Sequence, residues 1–177
     1  MTIIEYSKDS IYDCSELLAG REVQTPHHGA RHGAIKANLA TALREYSKKH
    51  KGVAAMSCGF VLMQSETVVG PDVAYVSAQQ MRRHNLDSNW KTTLYWFEFA
   101  PSIAIEVEDF NEHQNLHEKA KLYLDHGTRE VWIVEAESRT VEVRRAGQAS
   151  HIYMQNETLQ TDVLPDFQMP LAEVFED

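Results

Sequence analysis

Apolar and polar residues alternate along 101–108, and this period of two predicts a β-strand, because successive side chains of a strand point to opposite faces. The apolar positions of one face are Ile103, Ile105 and Val107. Glu106 and Glu108 share the other face. The segment therefore carries two carboxylates toward the end of a mainly apolar strand.

The pattern changes to a helical period after Asp109. This helix ends near Gly127, and its apolar stripe consists of Leu116, Ala120, Tyr123 and Leu124. Lys119 borders the stripe. An unpaired ammonium in apolar surroundings is unfavourable, so Lys119 must extend to solvent or meet an anion. The anions that we expect are Glu106 and Asp72.

Three elements are predicted in the first fifty residues. Residues 10–19 indicate a short helix that ends at Gly20, and residues 21–25 indicate a brief strand. A long helix is expected over 32–48, and its apolar face consists of Ile35, Leu39, Ala42, Leu43 and Tyr46. His32 lies three residues before this face and is expected to point to the same interior. At a helix end, a structural role for histidine is more usual than a catalytic one.

The middle of the chain contains β-forming stretches that are separated by turns. Residues 52–64 predict two strands, or one bent strand that is interrupted at 57–59. Another alternating strand follows Pro71-Asp72. Residues 79–91 are polar and predict an exposed loop or short helix. The aromatic stretch 92–99 favours packing in the core or in a dimer over the stacking of bases.

The last third of the chain predicts a strand over 129–135, which completes a strand, helix, strand unit with the elements described first. The simplest form of such a unit has two parallel strands. Residues 140–144 and 150–154 predict an antiparallel hairpin, and residues 171–175 predict a short helix. We therefore expect a single domain over 1–177, of the α/β or α+β class.

Composition excludes several classes of protein. Of the 177 residues 43% are hydrophobic, but no apolar run reaches the roughly 18 residues of a membrane span. The first residues lack the pattern of a signal peptide, so a cytoplasmic location is expected. Cys14 and Cys58 form neither a CxxC motif nor a disulfide framework.

The net charge of −9 argues against a broad basic surface that binds many phosphates. A bound Mg²⁺ or Mn²⁺ would reverse the local sign of charge at an acidic cleft. Asp72 and Glu106 lie on predicted strands, and neighbouring strands are about 4.8 Å apart. If these strands pair, the two carboxylates can reach one divalent ion. A Pro-Asp step is also common in ordinary turns.

Taken together, these residues resemble the Uma2 family of endonucleases, in the PD-(D/E)XK nuclease superfamily. The positions that carry the resemblance are His32, Pro71-Asp72-Val73, Pro101, Ile105-Glu106-Val107, Lys119, Tyr123, Gly127, Glu130-Val131-Trp132, Leu164-Pro165-Asp166-Phe167, Leu171 and Phe175. The resemblance implies a restriction-endonuclease-like core, in which helices flank a mixed β-sheet. It also implies that Asp72 and Glu106 bind a metal ion and that Lys119, supplied by a helix, is the catalytic lysine.

The leading hypothesis is a metal-dependent endonuclease that hydrolyses DNA phosphodiester bonds with Mg²⁺ or Mn²⁺. Asp72 and Glu106 would hold the ion, together with a main-chain carbonyl near Val107. Lys119 would orient the attacking water or neutralise the developing charge.

The main alternative keeps the fold without the enzyme. In this case Lys119 and Glu106 form an internal ion pair, and the domain is a catalytically inactive module that binds protein or nucleic acid. Two departures from the family pattern favour this alternative. Asp109 replaces the usual serine, and Asn115 stands where an acid is frequent.

Other roles were open on the sequence. His113 and His117 have a spacing that permits a zinc site, although no third ligand is evident. His32 or Glu22 is a candidate for an assisting base. Two nicks in a duplex favour a homodimer, and residues 94–99 offer an apolar surface for it.

Overall fold

The computed structural model describes residues 1–9, 15–25, 28–86, 96–108 and 113–176. In chain order the helices and strands are α1 (Ile3–Asp9), β1 (Ser15–Leu18), β2 (Arg21–Gln24), α2 (Ala30–His50), β3 (Val53–Met56), β4 (Gly59–Leu62), β5 (Thr67–Val69), β6 (Val73–Val76), α3 (Ala78–Arg83), β7 (Trp96–Phe97), β8 (Ile103–Glu108), α4 (His113–Asp125), β9 (Glu130–Glu135), β10 (Thr140–Arg144), β11 (His151–Met154), β12 (Thr158–Gln160), β13 (Gln168–Pro170) and α5 (Leu171–Val174).

A six-stranded mixed sheet forms the centre of the fold, with the strand order β11-β10-β9-β8-β6-β3. Strands β8 and β9 are parallel, and α4 connects them. The other neighbouring strands of this sheet are antiparallel. The predicted fold class, a mixed sheet flanked by helices, is therefore confirmed. The parallel strand, helix, strand unit and the hairpin of β10 and β11 also form as expected.

The two faces of the central sheet are covered by different helices. On one face, α2 contributes to a core that includes Ile35, Leu39, Leu43, Ile103, Ile105 and Val107. On the other face, α4 contributes to a core that includes Ala104, Leu116, Ala120, Tyr123 and Ile133. Because side chains alternate along a strand, Glu106 shares the face of Ala104 and points toward α4. The period of two in β8 thus decides which helix can contact this carboxylate.

A second sheet has five strands in the order β2-β1-β5-β4-β7. Its strand β1 corrects the helix that was predicted over 10–19, because residues 15–18 pair antiparallel with β2 and β5. Residues 10–14 lie outside the described ranges. Ala19 and Gly20 both have positive φ angles, 48° and 78°. Two such residues make a tight hairpin turn, so Gly20 ends a strand and not a helix.

Residues 52–64 form two strands, which confirms one of the two predicted arrangements. Strand β3 pairs with β6 in the central sheet, whereas β4 pairs with β5 and β7 in the second sheet. The chain changes sheet at Ser57, whose φ angle is 48°. A side chain at Gly59 would collide with the Trp96 ring. The absence of a Cβ at this position lets β4 and β7 approach.

The polar and aromatic segments between β6 and β8 are described in part. Residues 78–83 form α3, while residues 87–95 lie outside the described ranges. Phe97 is buried and stacks on Phe60 with ring centroids 5.1 Å apart. This aromatic side chain packs in the core, so it cannot contribute to a dimer surface. A homodimer stays a prediction.

The longest helix that the structure describes is α2, with 21 residues, and its sequence is rich in lysine and arginine. Of the helices in the described ranges, none combines the length and the apolar character that crossing a membrane requires.

Glu130 anchors the end of the central sheet that lies opposite the end of β8 bearing Glu106. Its buried carboxylate accepts hydrogen bonds from Trp132 Nε1 at 2.8 Å, Arg145 Nε at 2.8 Å and Thr161 Oγ1 at 2.7 Å. These contacts join β9 to the turn after β10 and to the segment after β12. An acid that is buried in this way is stable only because each partner compensates part of its lost hydration.

We predict that Glu130→Ala lowers the free energy of unfolding by about 3 kcal/mol or more, because it leaves buried donors without their acceptor. Urea denaturation followed by circular dichroism measures the change. Glu142→Ala is the matched control, since Glu142 pairs with the partly exposed Arg144, and it should cost less than about 1 kcal/mol. Equal losses in the two variants would contradict a structural role for Glu130.

Candidate active site

Asp72 and Glu106 occupy neighbouring backbone positions, where β6 begins and near the end of β8. Strands β6 and β8 are antiparallel, and Val73 aligns with Ile105. Asp72 comes directly before Val73, and Glu106 comes directly after Ile105, so the next step of this register places the two residues opposite each other. The Val107 N–H, one residue beyond Glu106, donates to Asp72 Oδ2 at 2.9 Å.

The side chain of Asp72 faces the first turns of α2. His32 Nε2 lies 3.2 Å from Asp72 Oδ2, and Lys36 Nζ donates to Asp72 Oδ1 at 3.1 Å. Lys36 also donates to Ser57 Oγ at 2.8 Å. The side chains of Asp72 and Lys36 are 13% and 15% exposed, so this part of the site is open to solvent. His32 is buried. As expected, it points into the interior with the apolar face of α2.

Glu106 lies in a more enclosed position under α4. Its Oε1 accepts a hydrogen bond from Lys119 Nζ at 2.9 Å and another from the Tyr123 hydroxyl at 3.0 Å. Lys119 and Tyr123 are one helical turn apart, so the same face of α4 supplies both donors. The expectation that Lys119 contacts an anion is met at Glu106. The contacts of Asp72 lie with α2 and with the main chain of β8.

Glu16 is a third acid at this site, and no local sequence pattern indicated it. It lies on β1 of the second sheet, and its side chain is buried. Its Oε1 is 3.0 Å from Lys119 Nζ and accepts the Gly70 N–H at 2.6 Å. The predicted helix over 10–19 gave no reason to bury this acid. As a strand, Ser-Glu-Leu-Leu places Glu16 on the same face as Leu18.

The two catalytic candidates that bear carboxylates differ in their electrostatics. Burial alone would raise the pKa of Asp72, but the hydrogen bond and charge of His32, the Val107 N–H and Lys36 together lower that pKa below its ordinary value. Burial raises the pKa of Glu106 to about 8, and the charges of Asp72 and Glu16 act in the same direction. Lys119 opposes this rise only in part.

Lys119 remains protonated at this site. Burial would lower the pKa of its ammonium, but Glu106 and Glu16 raise it above the ordinary value. Burial and the same two glutamates also raise the pKa of the Tyr123 hydroxyl, which therefore stays a hydrogen-bond donor. The enclosed part of the site thus combines one fixed cation with two acids.

The remaining candidates lie outside this cluster. Glu22 is exposed on β2 and accepts a hydrogen bond from Ser15 Oγ at 3.0 Å. Glu108 lines a separate cavity of about 200 Å³, next to Glu135 and Arg144. His117 Nδ1 is 2.6 Å from Arg144 Nη1, and a guanidinium in that position disfavours a metal ion. The side chain of His113 and the whole of Asp109 are outside the described residues.

Glu106→Gln should make the metal-free protein more stable at alkaline pH. The folded-state pKa of Glu106 lies above the ordinary value of 4.5, so the folded protein binds more protons between pH 4.5 and about 8. Stability therefore falls as the pH rises through this range. Glutamine removes this dependence and keeps an oxygen for Lys119 and Tyr123.

Thermal unfolding in EDTA tests this prediction. The variant and the wild type should have equal midpoints at pH 5, and the variant should melt higher by about 3 °C or more at pH 8. Glu142→Gln is the control, because the hydrogen bond from Arg144 lowers the pKa of Glu142. An identical pH dependence in Glu106→Gln and the wild type would refute the raised pKa.

The sequence matches a known protein family over most of its length. The matching family is Uma2, described as "Putative restriction endonuclease", and the match covers residues 13–172. This match confirms the resemblance that was drawn from the motifs. The sequence matches none of the curated proteins.

A solved structure has a similar fold. It is described as a "putative nuclease belonging to DUF820 from Anabaena variabilis ATCC 29413". The two chains superpose with a TM-score of 0.85 at 18% sequence identity, over 99% of this chain and 97% of that one. At this identity the similarity establishes a shared fold.

Proposed function

The chain belongs to the Uma2 family, and on this premise we propose that it is an endonuclease that hydrolyses DNA phosphodiester bonds with Mg²⁺ or Mn²⁺. The observation that carries the proposal is the placement of Asp72 and Glu106 at adjacent strand ends, with Lys119 hydrogen-bonded to Glu106. Paired acids and a nearby cation are the groups that metal-assisted hydrolysis requires.

The residues present fit a hard divalent cation. Asp72, Glu106 and the main-chain carbonyl of Val107 would hold it, and all three offer oxygen, which Mg²⁺ and Mn²⁺ prefer. Burial raises the pKa of Glu106, and the charges of Asp72 and Glu16 act in the same direction, so a cation bound there would favour the ionised acid. Lys36 Nζ donates to Asp72 Oδ1 and would leave this oxygen, keeping its hydrogen bond to Ser57, when the oxygen binds an ion.

A bound divalent ion would supply a water that is nucleophilic at neutral pH and positive charge beside the scissile phosphate. The chain itself would supply orientation. Asp72 is fixed by His32 and by the Val107 N–H, so its carboxylate cannot rotate freely. Glu106 is fixed by Lys119 and Tyr123.

Lys119 would act on the attacking water or on the charge that develops at the phosphate. An ammonium has three N–H donors, and within the described residues Glu16 and Glu106 accept two of them. The third donor is then available to a water or a phosphate oxygen. Because Lys119 is held by two acids, it would stay protonated throughout turnover and would stabilise charge without acting as a base.

We predict that Asp72→Asn, Glu106→Gln and Lys119→Met each reduce DNA cleavage by at least about 100-fold. Conversion of supercoiled plasmid by purified protein in Mg²⁺ or Mn²⁺, with EDTA as the blank, measures the activity. Glu142→Gln should cleave at the wild-type rate, since Glu142 pairs with Arg144 within β10, outside the candidate site. Cleavage by Asp72→Asn as fast as by the wild type would remove Asp72 from the mechanism.

The inactive alternative makes a different prediction for the same proteins. The observation that favours it is the Lys119–Glu106 pair, which satisfies both groups without a metal ion. Calorimetric titration with Mn²⁺ separates the two cases. The enzyme should show binding that is lost in Asp72→Asn and Glu106→Gln. An inactive module would show no such binding and no cleavage.

A further inference from the structure

A second group of metal-binding side chains lies on the α2 side of Asp72. The imidazoles of His28 and His32 stack with ring centroids 3.8 Å apart and an interplanar angle of 6°. One nitrogen of each ring and one carboxylate oxygen of Asp72 lie within 4.8 Å of one another. His32 is buried and His28 is exposed, so one side of the group is rigid and the other faces solvent.

The distances in this group suit ligands of one ion. Metal to ligand bonds for imidazole nitrogen and carboxylate oxygen are about 2.0–2.2 Å, so two ligands of a tetrahedral ion lie roughly 3.3–3.6 Å apart. The pair His32 Nε2 and Asp72 Oδ2, at 3.2 Å, is already near this separation. The two ring planes are parallel, and a nitrogen lone pair lies in the plane of its ring, so His28 has to rotate to direct its nitrogen at the same point. Its exposed position before α2 allows that rotation.

We propose that His28, His32 and Asp72 bind a divalent transition-metal ion, such as Zn²⁺ or Co²⁺, at a site separate from the oxygen ligands of Glu106. Two imidazoles and one carboxylate form a donor set that these ions prefer and that Mg²⁺ binds poorly. The site shares Asp72 with the proposed nuclease centre. It does not depend on catalysis, because its three ligand atoms lie within 4.8 Å of one another whether or not the protein cleaves DNA.

The two oxygens of Asp72 allow both sites to exist. Oδ2 lies beside His32 and also accepts the Val107 N–H, whereas Oδ1 is held by Lys36. An ion at the histidines would use Oδ2 and replace the direct contact between Asp72 and His32. Oδ1 would remain for a second cation, once Lys36 leaves this oxygen and keeps its hydrogen bond to Ser57. Asp72 would then bridge two cations, one bound partly by nitrogen and the other by oxygen alone.

The test is titration of the full chain, freed of any histidine tag, with Co²⁺ and Zn²⁺. Visible absorption of bound Co²⁺ distinguishes a four-coordinate ion from a hydrated six-coordinate one, and calorimetry with Zn²⁺ gives affinity and stoichiometry. We expect one equivalent to bind, and His28→Ala to weaken binding by at least about 10-fold. His50→Ala is the matched control, because His50 stacks on Tyr46 at the other end of the same helix. It should bind as the wild type does.

Two further proteins separate this inference from the proposed function. Glu106→Gln should keep the Co²⁺ spectrum of the wild type while it loses plasmid cleavage. His28→Gln should weaken Co²⁺ binding and keep a wild-type melting temperature in EDTA, which excludes unfolding as the cause. A wild-type Co²⁺ spectrum in His28→Ala, or no Co²⁺ bands in the wild type, would overturn the site. A protein without nuclease activity whose Co²⁺ binding still requires His28 would retain it.

Discussion

The site depends on the burial of one ammonium group. Lys119 is almost fully enclosed, and an enclosed cation is tolerated only when anions replace its hydration. Carboxyl groups from two different sheets accept its hydrogen bonds, Glu16 of β1 and Glu106 of β8. The requirement to neutralise this group therefore brings α4, the central sheet and the second sheet to one point. The position of α4 over Glu106 follows from the need to neutralise Lys119.

The charges at this point are arranged in two compartments. In the enclosed compartment, one lysine faces two glutamates, and the burial of Glu106 opposes its ionisation. In the open compartment, Asp72 is held ionised by His32, Lys36 and a main-chain N–H. The two acids of the candidate pair come from neighbouring strands of the central sheet and yet differ in proton affinity. A cation that both acids share would remove much of that difference, because it lowers the pKa of the buried acid most.

Local sequence patterns predicted the parts of this arrangement that depend on one element. The period of two in β8 placed Glu106 on a single face, and the helical stripe beside Lys119 indicated that this lysine needs an anion. The motifs also indicated the family, and with it the mixed sheet. Glu16 was missed because the short segment that leads to Gly20 fits the end of a helix and the first strand of a hairpin equally well. Only pairing with β2 and β5, which lie several to about fifty residues away, decides between them.

The contact of Lys36 with Asp72 and the burial of Glu130 were not predicted, for a similar reason. A lysine on a helix is normally solvated, and nothing near Lys36 in the sequence shows that Asp72 will lie beside it. Glu130 opens an apolar strand, but its partners Arg145 and Thr161 come from later segments. Burial of a charged side chain is a property of the assembled fold, so a local pattern reports it only when the partner lies on the same or the next element.

One hydrogen bond joins the two compartments mechanically. Glu16 Oε1 receives the Gly70 N–H as well as the ammonium of Lys119, and Gly70 leads through Pro71 directly to Asp72. A displacement of the β1–β2 hairpin would therefore shift the backbone before Asp72 and the lysine beneath Glu106 at the same time. The relative position of Asp72 and Lys119 thus depends on Glu16, a residue of the second sheet.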